Sequence, residues 1–318
     1  MIGLSISVVT LDVKEYLRGC LTSIFHHSPS FPFEVIVVDN GSSDGTAEML
    51  EKEFPEIRLI RNNTNVGFAK AHNQALAQSR GRYFMILNPD TELKPDTLRT
   101  MLSFMENHPE AGMVGPKMLN PDGSLQPSCH QRFPNLLDLV LDTFGIGPCV
   151  LWLQKRRLFR KFFLKRFYAD YGRETEIAWA GGACLMARRK AIDQAGGLDE
   201  TYFIYREDTD WCFEFRRHGW KVFYLPQAEI IHHWGKTPGR WEGVRTVSAT
   251  RSNLHFFSRH TSKVFRWVVP PLCLLAVLLR LVWTGAEYLF LRSRGDLLGR
   301  KLKAYGMAFT SILKLRRS

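Results

Sequence analysis

Cysteine is sparse in this chain and does not occur in pairs. The 318 residues contain six cysteines, and none of them forms a CxxC motif. Closely spaced cysteines mark structural zinc sites and the disulfide frameworks of small secreted domains. We therefore expect buried, unreactive thiols in a reducing compartment, and a fold that is stabilised by neither zinc nor disulfides.

The amino-terminal segment MIGLSISVVT lacks the features of a secretory signal, which are a basic start and a small-residue cleavage pattern. Its β-branched and apolar residues are instead typical of a buried strand. We therefore expect the chain to stay in the cytoplasm.

A long uninterrupted apolar run is also missing. Within the apolar stretch 264–291, residues 267–279 supply only 13 uncharged positions before Arg280. A membrane-spanning helix needs about 20, and Pro270-Pro271 disfavours a straight helix. The stretch favours interfacial or re-entrant helices over a spanning one, with a buried helical hairpin as a third possibility.

Positive charge is abundant, with 43 Lys and Arg against 31 Asp and Glu and a net charge of +12. Between Lys155 and Arg166 there are seven basic residues and no acidic one, interleaved with Leu and Phe. Nucleic acid or an anionic membrane surface could bind such a segment. The apolar stretch nearby favours the membrane, so we expect an anionic membrane surface as a partner and no nucleic acid.

Strand and helix patterns alternate along the first hundred residues, with apolar strands at 4–10, 33–38, 57–61 and 83–87. This order predicts an α/β fold with a doubly wound, mostly parallel sheet. Later patterns predict helices at 95–107 and 208–218 and strands at 112–116, 179–188 and 221–225. Ligands bind at the carboxyl edge of such sheets, where Thr10, Asp39 and Asp90 should meet.

Seven motifs follow one another between residues 4 and 233: SVVTLD, VDNGSSDGT, NVGFAKAHNQAL, ILNPDTEL, WAGGACLMARR, GGLDETYFIYREDTDWCFEFRRHGW and YLPQAEIIHH. In this order they resemble the family 2 glycosyltransferases with the GT-A fold, in particular the rhamnosyltransferase-like members. The resemblance implies a GT-A domain at 1–255 with a basic and apolar helical insertion at about 134–170. The apolar stretch and the basic residues after it predict a membrane-associated helical region at 256–318.

The resemblance also implies which residues contact the donor nucleotide. The end of the first strand and the loop after the second strand hold the nucleoside in relatives, which corresponds to Thr10, Asp39 and Ser42 here. Asn65 and Asn88 are expected to contact the same nucleotide.

The Asp-x-Asp metal motif of the family reads Asn88-Pro89-Asp90 in this chain, so only its last acid is present. Hard oxygen ligands suit Mn²⁺ or Mg²⁺ bridging a diphosphate. The resemblance implies that Asp90 binds this metal together with His232, and His233 is the competing candidate.

An acidic cluster and a glycine-containing motif are expected to hold the reacting groups. An inverting transferase needs a carboxylate that takes the proton from the acceptor hydroxyl, and the family pattern assigns this role to Asp208. Glu207 and Asp210 would position the base or cap the helix that follows. The donor sugar and the acceptor would be contacted by Trp179, Gly181, Gly182 and Glu207. Arg188 or Arg189 either contacts phosphate or ends a solvated strand.

The function implied is inverting transfer of rhamnose or another hexose from a dTDP- or UDP-sugar. The acceptor would be a hydroxyl of a lipid-linked glycan in cell-surface polysaccharide synthesis, at the cytoplasmic face of the cell membrane. The missing acid at Asn88 supports one alternative, a non-catalytic, membrane-associated nucleotide-binding scaffold. A nucleotidyltransferase would carry a Gly-rich basic loop after the first strand, and TLDVKEYL is not one.

Overall fold

The computed structural model of the chain describes residues 2–28, 31–135, 138–139, 171–234, 242–260 and 263–290, together with 299, 302–303, 305–307 and 309–310. The predicted basic run from Lys155 to Arg166 lies outside these residues, as does most of the predicted insertion at about 134–170.

The described residues contain strands β1 (Leu4–Thr10), β2 (Phe33–Asp39), β3 (Arg58–Arg61), β4 (Tyr83–Leu87), β5 (Thr91–Leu93), β6 (Ala111–Leu119), β7 (Cys129–His130), β8 (Thr175–Ile177), β9 (Trp179–Ala180), β10 (Cys184–Arg188) and β11 (Lys221–His232). The helices are α1 (Lys14–His26), α2 (Thr46–Glu53), α3 (Phe68–Gln78), α4 (Thr97–Asn107), α5 (Arg189–Ala195), α6 (Glu207–Arg217), α7 (Glu242–His260) and α8 (Lys263–Phe290).

Nine strands form the central sheet, in the order β3-β2-β1-β4-β10-β6-β11-β5 with β8 beside β11. β1 to β4 pair in parallel, and β6 and β11 also pair in parallel. β10 is antiparallel to both β4 and β6, and β5 and β8 are antiparallel to β11. The fold is therefore mixed α/β with a mostly parallel sheet, as the alternating pattern predicts.

Helices cover both faces of this sheet, so the side chains of a central strand are buried on both sides. All five residues of β4 are buried. Tyr83, Met85 and Leu87 face one apolar core with α1, α2 and α4, whereas Phe84 and Ile86 face a second core with α3, α5 and α6. A strand that is buried on both faces reads as a continuous apolar run, which is why the sequence pattern found it.

Two predicted strands differ from the structure in their bounds, and one short strand was not predicted. The strand predicted at 179–188 is interrupted at Gly181–Ala183 and forms two short strands in different sheets. The strand predicted to end before Pro226 continues to His232 through an irregular register between Leu225 and Glu229. Proline has no N–H to donate, and such an irregularity accommodates it within a sheet. The short strand β5 was not expected.

The chain divides into two compact units. The described residues of Met1–Phe133, Phe163–Glu200 and Glu207–Thr237 form the first, which contains every strand above and α1 to α6. Those of Pro134–Phe162, Thr201–Arg206 and Pro238–Ser318 form the second.

Within the second unit, α7 holds the short segment Thr201–Arg206. The hydroxyl of Ser252 donates to the carbonyl of Ile204 at 2.9 Å, and Arg206 Nε donates to Asn253 Oδ1 at 2.8 Å. These contacts restrain a segment in which Tyr205 and Arg206 have φ angles of 72° and 71°. Side chains rarely adopt this left-handed conformation, so the contacts offset local backbone strain.

The helix α8 runs from Lys263 to Phe290 without interruption, although Pro270 and Pro271 lie inside it. A helix can continue past the N–H donors that its prolines lack, at some cost in stability. Among the described residues, no helix combines the length and the apolar character that crossing a membrane requires.

Candidate active site

One edge of the central sheet collects the side chains that the motifs single out. Thr10 and Asp39 pair at the carboxyl ends of β1 and β2. β4 ends beside the start of β10, where the N–H of Asn88 donates to the carbonyl of Ala183 at 2.9 Å. β11 ends where His232 pairs with Thr91. The reversed direction of β10 thus brings the 181–183 segment to the carboxyl edge of the parallel strands.

The loops after β1 and β2 are joined by hydrogen bonds at the predicted nucleotide site. Oδ1 of the buried Asp39 accepts from the Ser42 N–H at 2.9 Å, and Ser42 Oγ accepts from the Asp12 N–H at 3.0 Å. The Thr10 Oγ1 atom is buried and has no hydrogen-bond partner among the described residues. An unsatisfied buried hydroxyl is costly, and a hydrogen bond to a ligand would remove that cost.

Asn65 lies in the loop before α3, and its side-chain oxygen already has contacts within the protein. It accepts from the Gly67 N–H at 2.9 Å and from Asn40 Nδ2 at 3.3 Å. The residue therefore holds this loop in place. Its predicted contact with the nucleotide stays a prediction.

Asp90 and His232 come together at the predicted metal site. Asp90 Oδ1 lies 3.4 Å from His232 Nε2, and their side chains are only 13% and 8% exposed. The adjacent His233 does not compete for this position, because its Nε2 contacts Glu92 Oε1 at 2.7 Å. Of the two histidines that the sequence left as candidates, His232 is the one whose ring lies beside the Asp90 carboxylate.

These groups fit a divalent cation such as Mn²⁺ or Mg²⁺. Neighbouring ligand atoms around octahedral Mg²⁺ lie about 3 Å apart, which is close to the observed spacing of Asp90 Oδ1 and His232 Nε2. Asn88 Oδ1 is buried without a partner in the described part of the chain, and it could supply a neutral oxygen. Among the described residues, no three His, Cys, Asp or Glu side chains are arranged so that they could hold a metal ion by themselves, so a donor diphosphate and water would complete the coordination.

Gln126 is a residue of this site that the sequence reasoning missed. Its Oε1 lies 2.6 Å from His232 Nδ1, although the two residues are 106 positions apart. The segment Asn120-Pro121-Asp122-Gly123 is a turn signal just before it, but that pattern says nothing about the distant histidine.

Asp208, the predicted base, lies in the first turn of α6. Its Oδ2 accepts from the Gly182 N–H at 2.7 Å, and its Oδ1 accepts from the Thr209 N–H at 2.6 Å. α6 begins with acidic residues and ends with Arg216 and Arg217, an order that the helix dipole favours. Backbone donors and a helix N-terminus both stabilise an ionised carboxylate.

Glu207 differs from Asp208 in its surroundings. Its side chain is 5% exposed, and its Oε2 has no hydrogen-bond partner among the described residues. Burial, and then the charge of Asp208, raise the pKa of Glu207 well above its ordinary value. A general base must be ionised before it can accept a proton, so Asp208 suits that role better than its neighbour.

The predicted sugar and acceptor segment lies against this carboxylate. A Cβ atom added to Gly182 would lie 3.2 Å from Asp208 Cβ and 3.4 Å from its Oδ2, so a side chain at this position would require Asp208 to shift by a few tenths of an ångström. Gly181 donates to the carbonyl of Ser128 at 2.8 Å. The ring of Trp179 stacks on His130, with centroids 3.9 Å apart.

The structure corrects both predictions for Arg188 and Arg189, namely contact with phosphate and a position at the end of a solvated strand. Arg188 donates to the carbonyls of Ala111 and His108, and Arg189 donates to the hydroxyl of Ser79. Because β10 runs antiparallel to β4, its end lies at the opposite edge of the sheet from Asp90. These arginines therefore stabilise the fold and neither contact phosphate at this site nor end a solvated strand.

The carboxyl edge of this mostly parallel sheet carries the loops predicted to bind a nucleotide, a paired carboxylate and imidazole, and a second carboxylate, an arrangement that suits a nucleotide-sugar glycosyltransferase. The family model for glycosyl transferase family 2 matches residues 5–196, and the chain belongs to this family.

Named relatives are consistent with this assignment. The chain is 32% identical over 275 residues to the N-acetylglucosaminyl-diphospho-decaprenol L-rhamnosyltransferase of Mycobacterium tuberculosis, covering 81% of this chain and 85% of that protein. It is 26% identical over 269 residues to the rhamnosyltransferase WbbL of Escherichia coli, covering 82% and 88%.

A solved structure shares the fold. The mannosyltransferase PcManGT from Pyrobaculum calidifontis, in complex with GDP-Man and Mn²⁺, aligns with a TM-score of 0.55 at 17% identity, over 96% of this chain and 86% of that one. At this level of identity the likeness concerns the fold alone.

Proposed function

We propose that this GT-A type enzyme transfers L-rhamnose from a dTDP- or UDP-activated donor to a hydroxyl of a lipid-diphosphate-linked glycan, with inversion at the anomeric carbon. The observation that carries the proposal is the 32% identity to a relative named as an N-acetylglucosaminyl-diphospho-decaprenol L-rhamnosyltransferase, over 81% of the chain. Another hexose remains the second choice of donor sugar. The product would serve cell-surface polysaccharide synthesis.

The donor nucleotide would lie against the ends of β1, β2 and β4. The carboxylate of Asp39 and the unsatisfied oxygens of Thr10 and Asn88 are polar groups that a ribose and a base can satisfy. Asp90 and His232 would hold Mn²⁺ or Mg²⁺, which supplies positive charge opposite the departing diphosphate.

Asp208 would act on the acceptor. As the acceptor oxygen bonds to the anomeric carbon, its proton passes to the Asp208 carboxylate, and the nucleoside diphosphate leaves from the opposite face of the sugar. The hydrogen bonds from Gly182 and Thr209 fix the carboxylate before the acceptor arrives. Trp179 and Gly181 would line the sugar and acceptor side of this carboxylate.

A lipid-linked acceptor requires contact with a membrane, and α8 offers an apolar surface for it. Trp267, Val268, Leu275, Leu278, Leu279, Val282 and Trp283 are exposed at helical spacing, the two tryptophans by 79% and 71%. Exposed apolar side chains on a chain with a net charge of +12 suit binding to an anionic leaflet. The proposal therefore includes peripheral attachment to the cytoplasmic face of the cell membrane.

The test incubates the purified protein and Mn²⁺ with dTDP-L-rhamnose, UDP-glucose or UDP-galactose in parallel, with a polyprenyl-diphosphate N-acetylglucosamine as acceptor. Mass spectrometry should show the addition of one deoxyhexose from dTDP-L-rhamnose, and NMR should show the inverted anomer. Transfer of a hexose from a UDP-sugar instead would overturn the assignment of the donor.

Binding of the nucleotide without transfer to any acceptor would favour the scaffold alternative. Hydrolysis of the nucleotide-sugar donor in the absence of acceptor would still indicate an enzyme, because a non-catalytic scaffold would leave the donor intact. The Asp208→Asn variant is the control for transfer by a contaminating enzyme.

A further inference from the structure

We infer that the hairpin from Asn120 to Gln126 is a positioning element that fixes the tautomer of His232, so that its Nε2 presents a lone pair to a divalent cation. The inference rests on the proposed function in one respect, namely the metal role of Asp90 and His232. The tautomer itself is a property of the metal-free protein.

The hairpin is held rigid by its own backbone. After β6, the N–H of Asn120 donates to the carbonyl of Ser124 at 2.8 Å, and the N–H of Gly123 donates back to the carbonyl of Asn120 at 2.9 Å. Gly123 has a φ angle of 79°, which glycine adopts without strain. The N–H of Gln126 then donates to the carbonyl of Met118 at 2.9 Å.

A chain of side-chain hydrogen bonds starts at Asp122, and its polarity can be followed atom by atom. Asp122 Oδ1 accepts from the hydroxyl of Ser124 at 2.6 Å and from the Ser124 N–H at 2.9 Å. These bonds lower the pKa of Asp122, so its carboxylate is ionised and can only accept. The single proton of the Ser124 hydroxyl is therefore committed to Asp122.

The direction of the hydrogen bond from Ser124 to Asp122 determines how the side-chain amides of Asn120 and Gln126 are oriented. Ser124 Oγ must accept its other hydrogen bond, and Asn120 Nδ2 donates it at 2.9 Å. Asn120 Oδ1 therefore faces Gln126, whose Nε2 donates to it at 2.9 Å. Because the nitrogen of the Gln126 amide points to Asn120, its oxygen points to His232.

The tautomer of His232 follows from the last link. A carbonyl oxygen only accepts, so the 2.6 Å contact between Gln126 Oε1 and His232 Nδ1 requires the proton to be on Nδ1. In the neutral ring Nε2 then carries a lone pair, 3.4 Å from Asp90 Oδ1. Two acceptors that face each other at this distance repel unless a cation lies between them.

Gln126 does not contact the cation site itself and acts through His232. Partners of this kind, which orient metal-binding histidines, change metal affinity by about 10–100-fold when they are removed. Asn120 and Ser124 act one and two links further away, so replacing them should affect the same tautomer more weakly.

The test begins with the metal-free protein, labelled with ¹⁵N-histidine and treated with chelator at about pH 8, above the ordinary pKa of histidine. Long-range ¹H–¹⁵N correlation distinguishes the two tautomers, and the spectrum of His232→Gln assigns the signal. We expect Nδ1–H in the wild-type protein, loss of this preference in Gln126→Leu, and a weaker effect in Asn120→Leu. Nε2–H in the wild type, or the same tautomer in Gln126→Leu, would overturn the inference.

A second measurement follows Mn²⁺ binding by the loss of the free-ion EPR signal. Gln126→Leu should bind Mn²⁺ about 10–100-fold more weakly. Gln126→Glu should restore much of the affinity, because a carboxylate also accepts from Nδ1. The matched control is Gln78→Leu, since the side chain of Gln78 is exposed at the end of α3. Equal Mn²⁺ affinity in Gln126→Leu and Gln78→Leu would contradict the positioning role.

The two measurements separate the inference from the proposed function. If the wild type shows Nδ1–H and Gln126→Leu loses it, while neither binds Mn²⁺ through His232, the tautomer inference stands and the metal proposal fails. If Mn²⁺ binds and the tautomer does not depend on Gln126, the positioning inference fails alone.

Discussion

The backbone N–H of Gly182 donates a 2.7 Å hydrogen bond to Oδ2 of Asp208. The two residues come from different parts of the chain, since Gly182 precedes β10 and Asp208 lies in the first turn of α6. The residue after Gly182 also takes part in the site, because the carbonyl of Ala183 accepts a hydrogen bond from the N–H of Asn88. One short segment therefore connects the carboxylate assigned as the base with the loop that carries Asp90.

Gly182→Ala should displace the base without unfolding the protein. The added methyl carbon would lie 3.2 Å from Asp208 Cβ, so the Asp208 side chain must shift by a few tenths of an ångström. We expect kcat to fall by up to about 100-fold, since misplacement of a reacting group is costly, with little change in donor Kd. The matched control is Gly285→Ala in α8, where an added Cβ meets no atom within 4 Å. Equal rates in the two variants would show that the contact does not position the base.

Glu207→Gln should change how stability depends on pH. The ordinary glutamate of the unfolded chain loses its proton above about pH 4.3, whereas burial and the charge of Asp208 keep Glu207 protonated to higher pH in the folded protein. The folded state then holds more protons, so the free energy of unfolding falls as pH rises between the two pKa values. The slope from this one group reaches about 1.4 kcal/mol per pH unit.

The measurement is denaturant unfolding of the protein from about pH 5 to about pH 8, monitored by tryptophan fluorescence. The wild type should lose stability relative to Glu207→Gln as pH rises. A constant difference between the two proteins would mean that Glu207 is ionised in the fold. Asp193→Asn, at an exposed position of α5, controls for a general effect of removing one acid.

The part of the site that the sequence predicts comes from strand order. Thr10, Asp39 and Asp90 each follow a buried strand, and parallel strands bring their carboxyl ends to one edge. The pairing of Thr10 with Asp39 confirms this expectation for the first two strands. The roles assigned to these side chains in nucleotide and metal binding stay predictions.

The features of the site that the sequence does not predict depend on contacts between distant parts of the chain. Local sequence patterns carry no signal for such contacts. The antiparallel direction of β10 places Gly182 at the active edge and Arg188 at the opposite one. The contact of Gln126 with His232 joins a hairpin to a strand 106 positions away. Neither could be derived from the periodicity of apolar residues, because both depend on how strands pair and not on whether they form.

Removal of the metal should abolish transfer. We expect EDTA to remove activity and Mn²⁺ or Mg²⁺ to restore it. Asp90 and His232 can stabilise the negative charge of the departing diphosphate only through a bound cation. Asp90→Asn should bind Mn²⁺ at least about tenfold more weakly, whereas Asp193→Asn should match the wild type. Full activity in chelator, confirmed metal-free by elemental analysis, would rule out a metal role for Asp90.

Replacing both exposed tryptophans of α8 by serine should weaken membrane binding. Trp267 and Trp283 are 79% and 71% exposed, and amphipathic helices bind membranes through such side chains. Cosedimentation with vesicles containing anionic lipid should fall by at least about tenfold, while transfer to a water-soluble acceptor stays unchanged. Leu125→Ala, at another exposed apolar position, should cosediment like the wild type. Equal binding of the double variant would contradict the role of α8.

The most direct test of the proposed chemistry is single-turnover transfer by Asp208→Asn, with donor affinity measured on the same preparation. Asparagine keeps the shape of the side chain but cannot take a proton, and loss of a general base costs about 10²–10⁴-fold in rate. We predict a donor Kd within about twofold of the wild type and a transfer rate reduced by at least about 100-fold. A transfer rate close to that of the wild type, with donor bound normally, would contradict the assignment of Asp208 as the base.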